Sequence, residues 1–407
     1  MIMKKNYLPK LLSVLGPGII TAALVFGPSK MTITSKMGAD YAYSLLWVIV
    51  IAIFFMLIFT NMSARIGYAS DDSLLTLIRR KLGKPASIII GVGIFMVATS
   101  FQAGNSTGVG IALAEATGTS ASLWIVLFNM AGIALLFFRQ FYQMLEKIML
   151  GLIILMLFCF VTTAFLAKPN IKEIFTGLTP TIPEGSTILI VAFIASCFSL
   201  VGAFYQAYLV QEKRKSQNQT RENQDNAQLS STVGIIILGI MSAVVLICGA
   251  AILYPQGIKV KAASDMGMAL EPLFGHAATT LFFVGLFGAS FSSLIGNATV
   301  GGAMLGDSLG YSSRLDSKYV KIFISAVMVF GAIIALIFGS TPLELIVLAQ
   351  SVTVFLVPFI GISIFLVANS EALMGKYKNN NFHKVVGLLG LLLVVFLAFV
   401  NFKQLFL

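Results

Sequence analysis

Charged side chains are scarce in this sequence. Only 11% of its 407 residues are Asp, Glu, Lys or Arg, whereas 58% are hydrophobic. A water-soluble domain normally carries about a quarter charged residues, so this composition excludes one. Membrane spans need roughly 20 mostly apolar residues each, and the sequence contains eleven such runs. They are approximately residues 11–37, 45–62, 86–116, 123–138, 148–166, 186–210, 233–254, 277–305, 320–339, 343–369 and 385–402.

Histidine and cysteine are also rare. The two histidines, His276 and His383, lie between apolar runs, and the three cysteines, Cys159, Cys197 and Cys248, lie inside them. The cysteine spacing matches neither a metal site nor a disulfide framework, so we expect these thiols to pack as small apolar groups. The sequence has no glycine-rich phosphate loop. We therefore expect no cofactor, no coupling to ATP and no enzymatic activity.

The positive charge of the chain is concentrated between the spans. The formal net charge is +11, and Lys and Arg occur mainly in alternate loops, as in residues 79–84 and 376–384. This asymmetry is typical of multi-pass proteins of the inner or plasma membrane and places the N-terminus in the cytoplasm and the C-terminus outside. The bilayer is then the partner of the chain. Neither a nucleic acid nor an obligate protein partner is implied.

One lysine departs from this pattern. Lys30 follows Gly27, Pro28 and Ser29 inside the first apolar run, so its ammonium group is expected near the middle of the membrane. Ionisable residues at that depth usually mark a functional site. Gly and Pro together can interrupt a helix, which lipid tolerates only where protein or a water-filled cavity covers the backbone. We predict a broken helix with Gly27, Ser29 and Lys30 at a substrate site and Lys30 in coupling. The alternative is that Lys30 snorkels to an interface near Lys36.

A second interruption occurs in the sixth apolar run, five runs later. Ser196, Ser199 and Gly202 introduce two hydroxyls and a glycine into this run. Paired interruptions of this kind are typical of transporters built from inverted repeats, whose substrate sites lie at the membrane midplane. Small residues at tight helix contacts are the alternative explanation. We predict a single membrane domain over 1–407, with repeats at 11–167 and 186–369 and an eleventh helix at 383–407. Residues 211–230 are predicted to form a solvated linker.

Several segments resemble the Nramp family of divalent-metal transporters, in the right order and over nearly the whole chain. The segments are GPGIITAALVFGPSK, LEKIMLGLIILM, KPNIKEIFTGLTP, AYLVQEK, GLFGASFSSLIGNATVGG and VLAQSVTVFLVPFIGISIFLVANSEALMGKY. The resemblance implies an all-α membrane protein of the LeuT type. In that fold five spans are inverted onto the next five, spans one and six are broken at the midplane, and here an eleventh helix follows.

The metal-binding motifs of the family are not kept. Its first-span motif Asp-Pro-Gly-Asn corresponds to residues 27–30, and its sixth-span motif Met-Pro-His corresponds to residues 199–201. The acidic residues of its proton path are replaced around Gln102, whereas Gln350 matches a glutamine of the family's site. The resemblance thus adds Gln102 and Gln350 to the candidate binding residues, although both could simply join helices by hydrogen bonds.

These replacements favour a different substrate. A transition-metal ion needs carboxylate, imidazole or thiolate ligands, and a lysine about 4 Å away repels each unit of cationic charge by roughly 4 kcal/mol at an effective dielectric of about 20. The acidic residues nearest the spans, Glu115, Glu146, Asp307 and Glu344, lie near span ends and none lies in a span interior, so Lys30 must be hydrated, lose its proton or bind an anion. We predict a proton-coupled secondary transporter of a small anionic or carboxylate substrate, with no metal site. The alternatives are a transporter of divalent metal (Mn²⁺, Mg²⁺ or Fe²⁺) with a relaxed site, and a non-transporting membrane sensor.

Overall fold

The computed structural model describes residues 7–138, 141–197, 200–216, 224–261, 264–338 and 343–406. Every regular element in these ranges is a helix. The α-helices are, in chain order, α1 (Tyr7–Val25), α2 (Pro28–Tyr41), α3 (Leu46–Ala69), α4 (Leu74–Leu82), α5 (Lys84–Thr117), α6 (Ala121–Leu135), α7 (Phe141–Ala167), α8 (Ile171–Thr176), α9 (Thr187–Cys197), α10 (Leu200–Ser216), α11 (Gln224–Cys248), α12 (Ser264–Phe274), α13 (His276–Ser308), α14 (Lys318–Phe338), α15 (Leu343–Ala368), α16 (Glu371–Met374) and α17 (Asn381–Phe406). A π-helical turn, Gly249–Leu253, extends α11.

The helices account for all eleven apolar runs of the sequence. Within the described ranges, eight stretches are long and apolar enough to cross a membrane, and Thr353–Ala368 with Glu371–Tyr377 forms a ninth that bends by 69°. The two remaining runs contain the shorter apolar helices Gly16–Val25 and Ala121–Leu135. The prediction of an all-α, multi-pass membrane protein is confirmed.

The first span is broken where the sequence predicted. Helix α1 ends at Val25 and α2 begins at Pro28, while Gly27 between them has an extended backbone with φ −104° and ψ −180°. Proline suits the first position of a helix because the amide hydrogen it lacks would have no partner there. In the sixth span, α9 ends at Cys197 and α10 begins at Leu200. The interruption predicted between them falls on residues 198 and 199, outside the described part of the chain.

The prediction of a solvated linker over residues 211–230 is wrong for most of that segment. Helix α10 continues to Ser216 and α11 already begins at Gln224; residues 217–223 are outside the description. The polar side chains here join neighbouring helices instead. Gln211, which is buried, donates to the carbonyl oxygens of Ser70 and Asp72, and the Ser230 hydroxyl accepts from the backbone N–H of Gly18.

Further polar contacts hold the C-terminal end of α10. The hydroxyl of Tyr208 donates to Oδ2 of Asp307 over 2.7 Å, and Arg214 donates to the carbonyl oxygen of Tyr68. Lys213 forms an ion pair with Glu146. These contacts connect α10 to α13, α3 and α7. We refer to the contacts made by Tyr208, Gln211, Lys213 and Arg214 as the α10 anchor.

The contact between α1 and α11 depends on glycine. A Cβ atom added to Gly234 would lie 2.0 Å from the carbonyl oxygen of Gly18, well inside van der Waals contact. The two backbones therefore approach as closely as in other membrane helix pairs that meet at small residues. This packing fixes α1, and hence the broken end of the first span, against the rest of the protein.

We expect Gly234→Ala to destabilise the protein, because the new methyl group must push two backbones apart. Overpacking of this kind costs about 1–3 kcal/mol, which should lower the unfolding temperature of the purified protein in detergent. Gly151→Ala is the matched control: Gly151 is also helical, but a Cβ there meets no atom within 4 Å. An unfolding temperature equal in the two variants would contradict the close approach.

Candidate functional site

Lys30 lies in the first turn of α2, directly after the break. Only 2% of its surface is exposed, so the alternative in which it snorkels to an interface does not describe this structure. No side chain caps the N-terminus of α2. The first N–H groups of a helix have no partner within it, and they carry the positive end of the helix dipole. The break therefore combines two sources of positive potential, the Lys30 ammonium and the start of α2.

The ammonium group of Lys30 is held by the end of α9. Its Nζ atom donates to Sγ of Cys197 over 2.9 Å and lies 5.4 Å from the centre of the Phe193 ring. Cys197 is the last described residue of α9. The face of an aromatic ring attracts cations, and the sulfur accepts the hydrogen bond. Two weak interactions thus stand where a carboxylate usually accompanies a buried lysine.

No acidic side chain joins this arrangement. Lys30 forms no ion pair with any residue of the described ranges, and its ammonium group has three N–H donors, of which the structure uses one. The remaining donors are available to water or to a ligand. The electrostatic potential that the described residues create at the break is therefore positive.

The break opens onto a cavity of about 40 Å³. A single water molecule needs roughly 10–15 Å³ on this scale, so the space suits a few water-sized groups. The residues around it come from both halves of the first span and from three other helices. They are Leu24, Val25, Gly27, Ser29, Lys30, Phe101, Asn105, Ser196 and Asn297. Four of the predicted substrate residues, Gly27, Ser29, Lys30 and Ser196, are thus brought together.

Gly27 is required by the narrowness of the break. A Cβ atom at this position would lie 2.6 Å from Oγ of Ser293 and 3.2 Å from Oδ1 of Asn105. Ser293 in turn donates to the carbonyl oxygen of Leu24, one of the groups that the end of α1 leaves without a helical partner. Helices α5 and α13 therefore pack closely against the break.

The other predicted site residues are placed elsewhere or lie outside the description. The Gln102 side chain is fully buried and donates to the carbonyl oxygen of Leu294, so it joins α5 to α13 and does not line the cavity. A Cβ atom on Gly202 would lie 2.6 Å from Val25, which makes this glycine a helix contact. Ser199 and the side chain of Gln350 are outside the described part of the chain.

Three residues at the site were not assigned to it from the sequence. Cys197 was expected to pack as an apolar group and instead accepts a hydrogen bond from Lys30, 167 residues away. Asn105 and Asn297 line the cavity, although asparagine in a span usually joins helices. Asn105 follows Gln102 by one helical turn, and this spacing on α5 was the only signal available for it.

The described residues that line the site are not of the types that a transition metal prefers. Within the described ranges, no three side chains among His, Cys, Asp and Glu come together in a way that could hold a metal ion. The polar groups at the cavity are hydroxyls, amides and one ammonium group. This set can donate hydrogen bonds to an anion and has no negative charge to offer a cation.

Comparison with known proteins identifies relatives of the chain. The family model described as "Natural resistance-associated macrophage protein-like" matches residues 18–403. The divalent metal cation transporter MntH of Bacillus subtilis is 25% identical over 394 residues, which cover 95% of this chain and 90% of that protein. Among solved structures, the Eremococcus coleocola manganese transporter in complex with an aromatic bis-isothiourea compound superposes with a TM-score of 0.80 at 18% identity, covering 99% of this chain and 89% of that one.

A Na⁺-coupled sialic acid symporter, solved in a substrate-bound outward-open state, also shares the fold. It superposes with a TM-score of 0.61 at 13% identity and covers 94% of this chain and 88% of that one. At these identities the likeness concerns the fold alone. The LeuT-type fold implied by the sequence is confirmed.

A double-mutant cycle should detect the contact between Lys30 and Cys197. We expect Cys197→Val to lower the stability of the protein, because it removes the acceptor of a buried ammonium group, and to have little effect when Lys30→Met is already present. Hydrogen bonds to charged groups contribute about 1.5–3 kcal/mol, so a coupling energy of about 1–2 kcal/mol is expected.

The measurement is unfolding of the four proteins in detergent. Cys248→Val provides the matched control, since Cys248 is equally buried and neither lines the cavity nor bonds to Lys30. A coupling energy near zero between positions 30 and 197 would contradict the contact.

Proposed function

The chain belongs to the Nramp family and is a secondary transporter, and we propose that it carries a small carboxylate anion in place of a divalent metal. The proposal rests on one observation: the position at which the family binds its ion is occupied by Lys30, buried and without an acidic partner among the described residues. Family membership alone does not decide the substrate, because one fold serves many chemistries through changes at its site.

The charge of Lys30 argues against a dication. At about 4 Å and an effective dielectric of about 20, an ammonium group repels a divalent ion by roughly 8 kcal/mol. A metal site overcomes such costs with carboxylate, imidazole or thiolate ligands. In the ranges that the structure describes, the only group of these types in contact with Lys30 is the thiol of Cys197, which already accepts its hydrogen bond.

The same groups suit a carboxylate. Gly27, Ser29 and Lys30, which form the uncapped N-terminus of α2, line one small cavity. Helix N-termini bind anions because their free N–H groups and the helix dipole act together. In transporters with broken helices, these half-helix ends are directed at the substrate. The hydroxyl of Ser196 already donates to the carbonyl oxygen of Phe193. Ser196 therefore forms part of the cavity wall and does not use that proton to bind the substrate.

The coupling that we propose uses Lys30 itself. A protonated Lys30 binds the anion from one side of the membrane, and after release on the other side the amine gives up its proton. The net movement is one anion with one proton. The repeats at 11–167 and 186–369 would rock about the site in the inner or plasma membrane, with the N-terminus in the cytoplasm and the C-terminus outside.

Divalent-metal transport is the second candidate. It is favoured by the relatives, since the Bacillus subtilis protein that covers nearly the whole chain is named a divalent metal cation transporter. A partly hydrated Mn²⁺, Mg²⁺ or Fe²⁺ ion could be held by carbonyl and amide oxygens. The charge of Lys30 attracts an anion and repels a divalent cation. Replacing Lys30 with a neutral residue therefore distinguishes the two candidate substrates.

We expect Lys30→Ala to abolish uptake of a small carboxylate into proteoliposomes and Lys30→Arg to retain part of it. The physical reason is that arginine keeps the positive charge and the N–H donors, whereas alanine removes both. The measurement is uptake of a panel of radiolabelled carboxylates, preceded by a thermal-shift screen of the same compounds against Mn²⁺, Mg²⁺ and Fe²⁺.

The matched control for these variants is Lys36→Ala, which removes a lysine of the same helix that pairs with Asp40. Saturable manganese uptake that is unchanged or improved by Lys30→Ala would refute the anion proposal. A folded wild-type protein that transports neither class would instead support the sensor alternative.

Proton coupling through Lys30 can be tested separately by measuring uptake with and without a proton gradient. In the wild type, an inwardly directed proton gradient should raise carboxylate uptake several-fold and drive accumulation above equilibrium. In Lys30→Arg, uptake should continue only down the gradient of the substrate, because a guanidinium group does not release its proton. The comparison uses the same vesicles with and without a protonophore. If Lys30→Arg retained proton-driven accumulation, a group other than Lys30 would have to couple transport to protons.

A further inference from the structure

Asn297 differs from the other polar side chains on its part of α13. The hydroxyls of Ser290, Ser292, Ser293 and Thr299 all donate to backbone carbonyl groups. Asn297 lines the cavity, is partly exposed to it and makes no hydrogen bond with a residue of the described ranges. Because Asn297 is partly exposed, its amide is open to hydrogen bonds with water or with a ligand that enters the cavity.

A second amide faces the same space. Asn105 on α5 is 2% exposed and lines the cavity, and its Nδ2 atom makes one long contact of 3.4 Å to Oε1 of Gln102. Its Oδ1 atom points toward the break, within 3.2 Å of where a Cβ on Gly27 would lie. Each amide offers both a donor and an acceptor. The cavity therefore has a cationic part at Lys30 and a neutral hydrogen-bonding part at Asn105 and Asn297.

We infer that Asn297, assisted by Asn105, selects the substrate: a small monocarboxylate that also carries a neutral hydrogen-bonding group, either a hydroxyl or an amide. The inference rests on the proposed carboxylate transport and specifies it. Among the described residues of the cavity wall, Lys30 is the one charged side chain, so a second carboxylate would find no matching charge there. An unsubstituted monocarboxylate would leave the amide of Asn297 without a partner, and sites built to bind a polar group discriminate strongly against analogues that lack it.

The test compares carboxylates of similar size that differ in this one group. L-lactate and oxamate carry a hydroxyl and an amide, propionate carries neither, and malonate carries a second carboxylate. Binding of each to the purified wild-type protein is measured by calorimetry or by competition. We expect lactate or oxamate to bind at least tenfold more tightly than propionate and malonate.

The variants assign that preference to Asn297. In Asn297→Leu, which keeps the size of the side chain, the affinity for lactate or oxamate should fall about tenfold while that for propionate stays within twofold, so the preference disappears. Asn297→Ala provides a second test if the leucine variant does not fold. Thr299→Val is the matched control from the same helix, because its hydroxyl is bonded to the backbone, and it should keep the preference.

The outcomes separate this inference from the function on which it rests. Lys30-dependent binding of propionate as tight as that of lactate and oxamate, or a preference that survives both Asn297 variants, would overturn the inference and leave carboxylate transport standing. If none of the four acids binds in a Lys30-dependent way while Mn²⁺ does, both proposals fail together.

Discussion

A buried cation that has no acidic partner in the described part of the chain is the constraint around which this site is built. Placing an ammonium group in a membrane protein is costly, by about 2.5–3.5 kcal/mol on insertion scales. The structure offsets that cost with the sulfur of Cys197 and the ring of Phe193. Neither carries a full negative charge. The break therefore keeps a positive potential, and the proposed anion site depends on it.

The scaffold of a metal transporter family is retained around this altered site. The break at Gly27, the close contact of Gly18 with Gly234 and the long helices α5 and α13 are properties of the backbone and of small residues. They do not depend on which ion is bound. A few side chains at the break can therefore change the substrate while the fold, and the movement it supports, stays the same.

The sequence predicted those features that depend on local chemistry. Eleven apolar runs identify the spans because lipid requires them, and Pro28 after Gly27 marks the break because proline cannot continue the helix before it. Contacts between distant segments were not accessible in this way. No local pattern relates Lys30 to Cys197, and Gln102 looks the same in sequence whether it binds a substrate or the carbonyl of Leu294. The polar composition of residues 211–230 predicted a solvated linker, and this was wrong for most of the segment. Composition does not show which protein groups a polar side chain will bond to.

The α10 anchor has a consequence for how α10 itself can move. Helix α10 starts beside the site and ends in contacts to three other helices, through Tyr208, Gln211, Lys213 and Arg214. Because these contacts lie within about two turns of one helix, a displacement of that end of α10 has to break all of them together. We therefore expect this end of α10 to shift as a unit and not one side chain at a time.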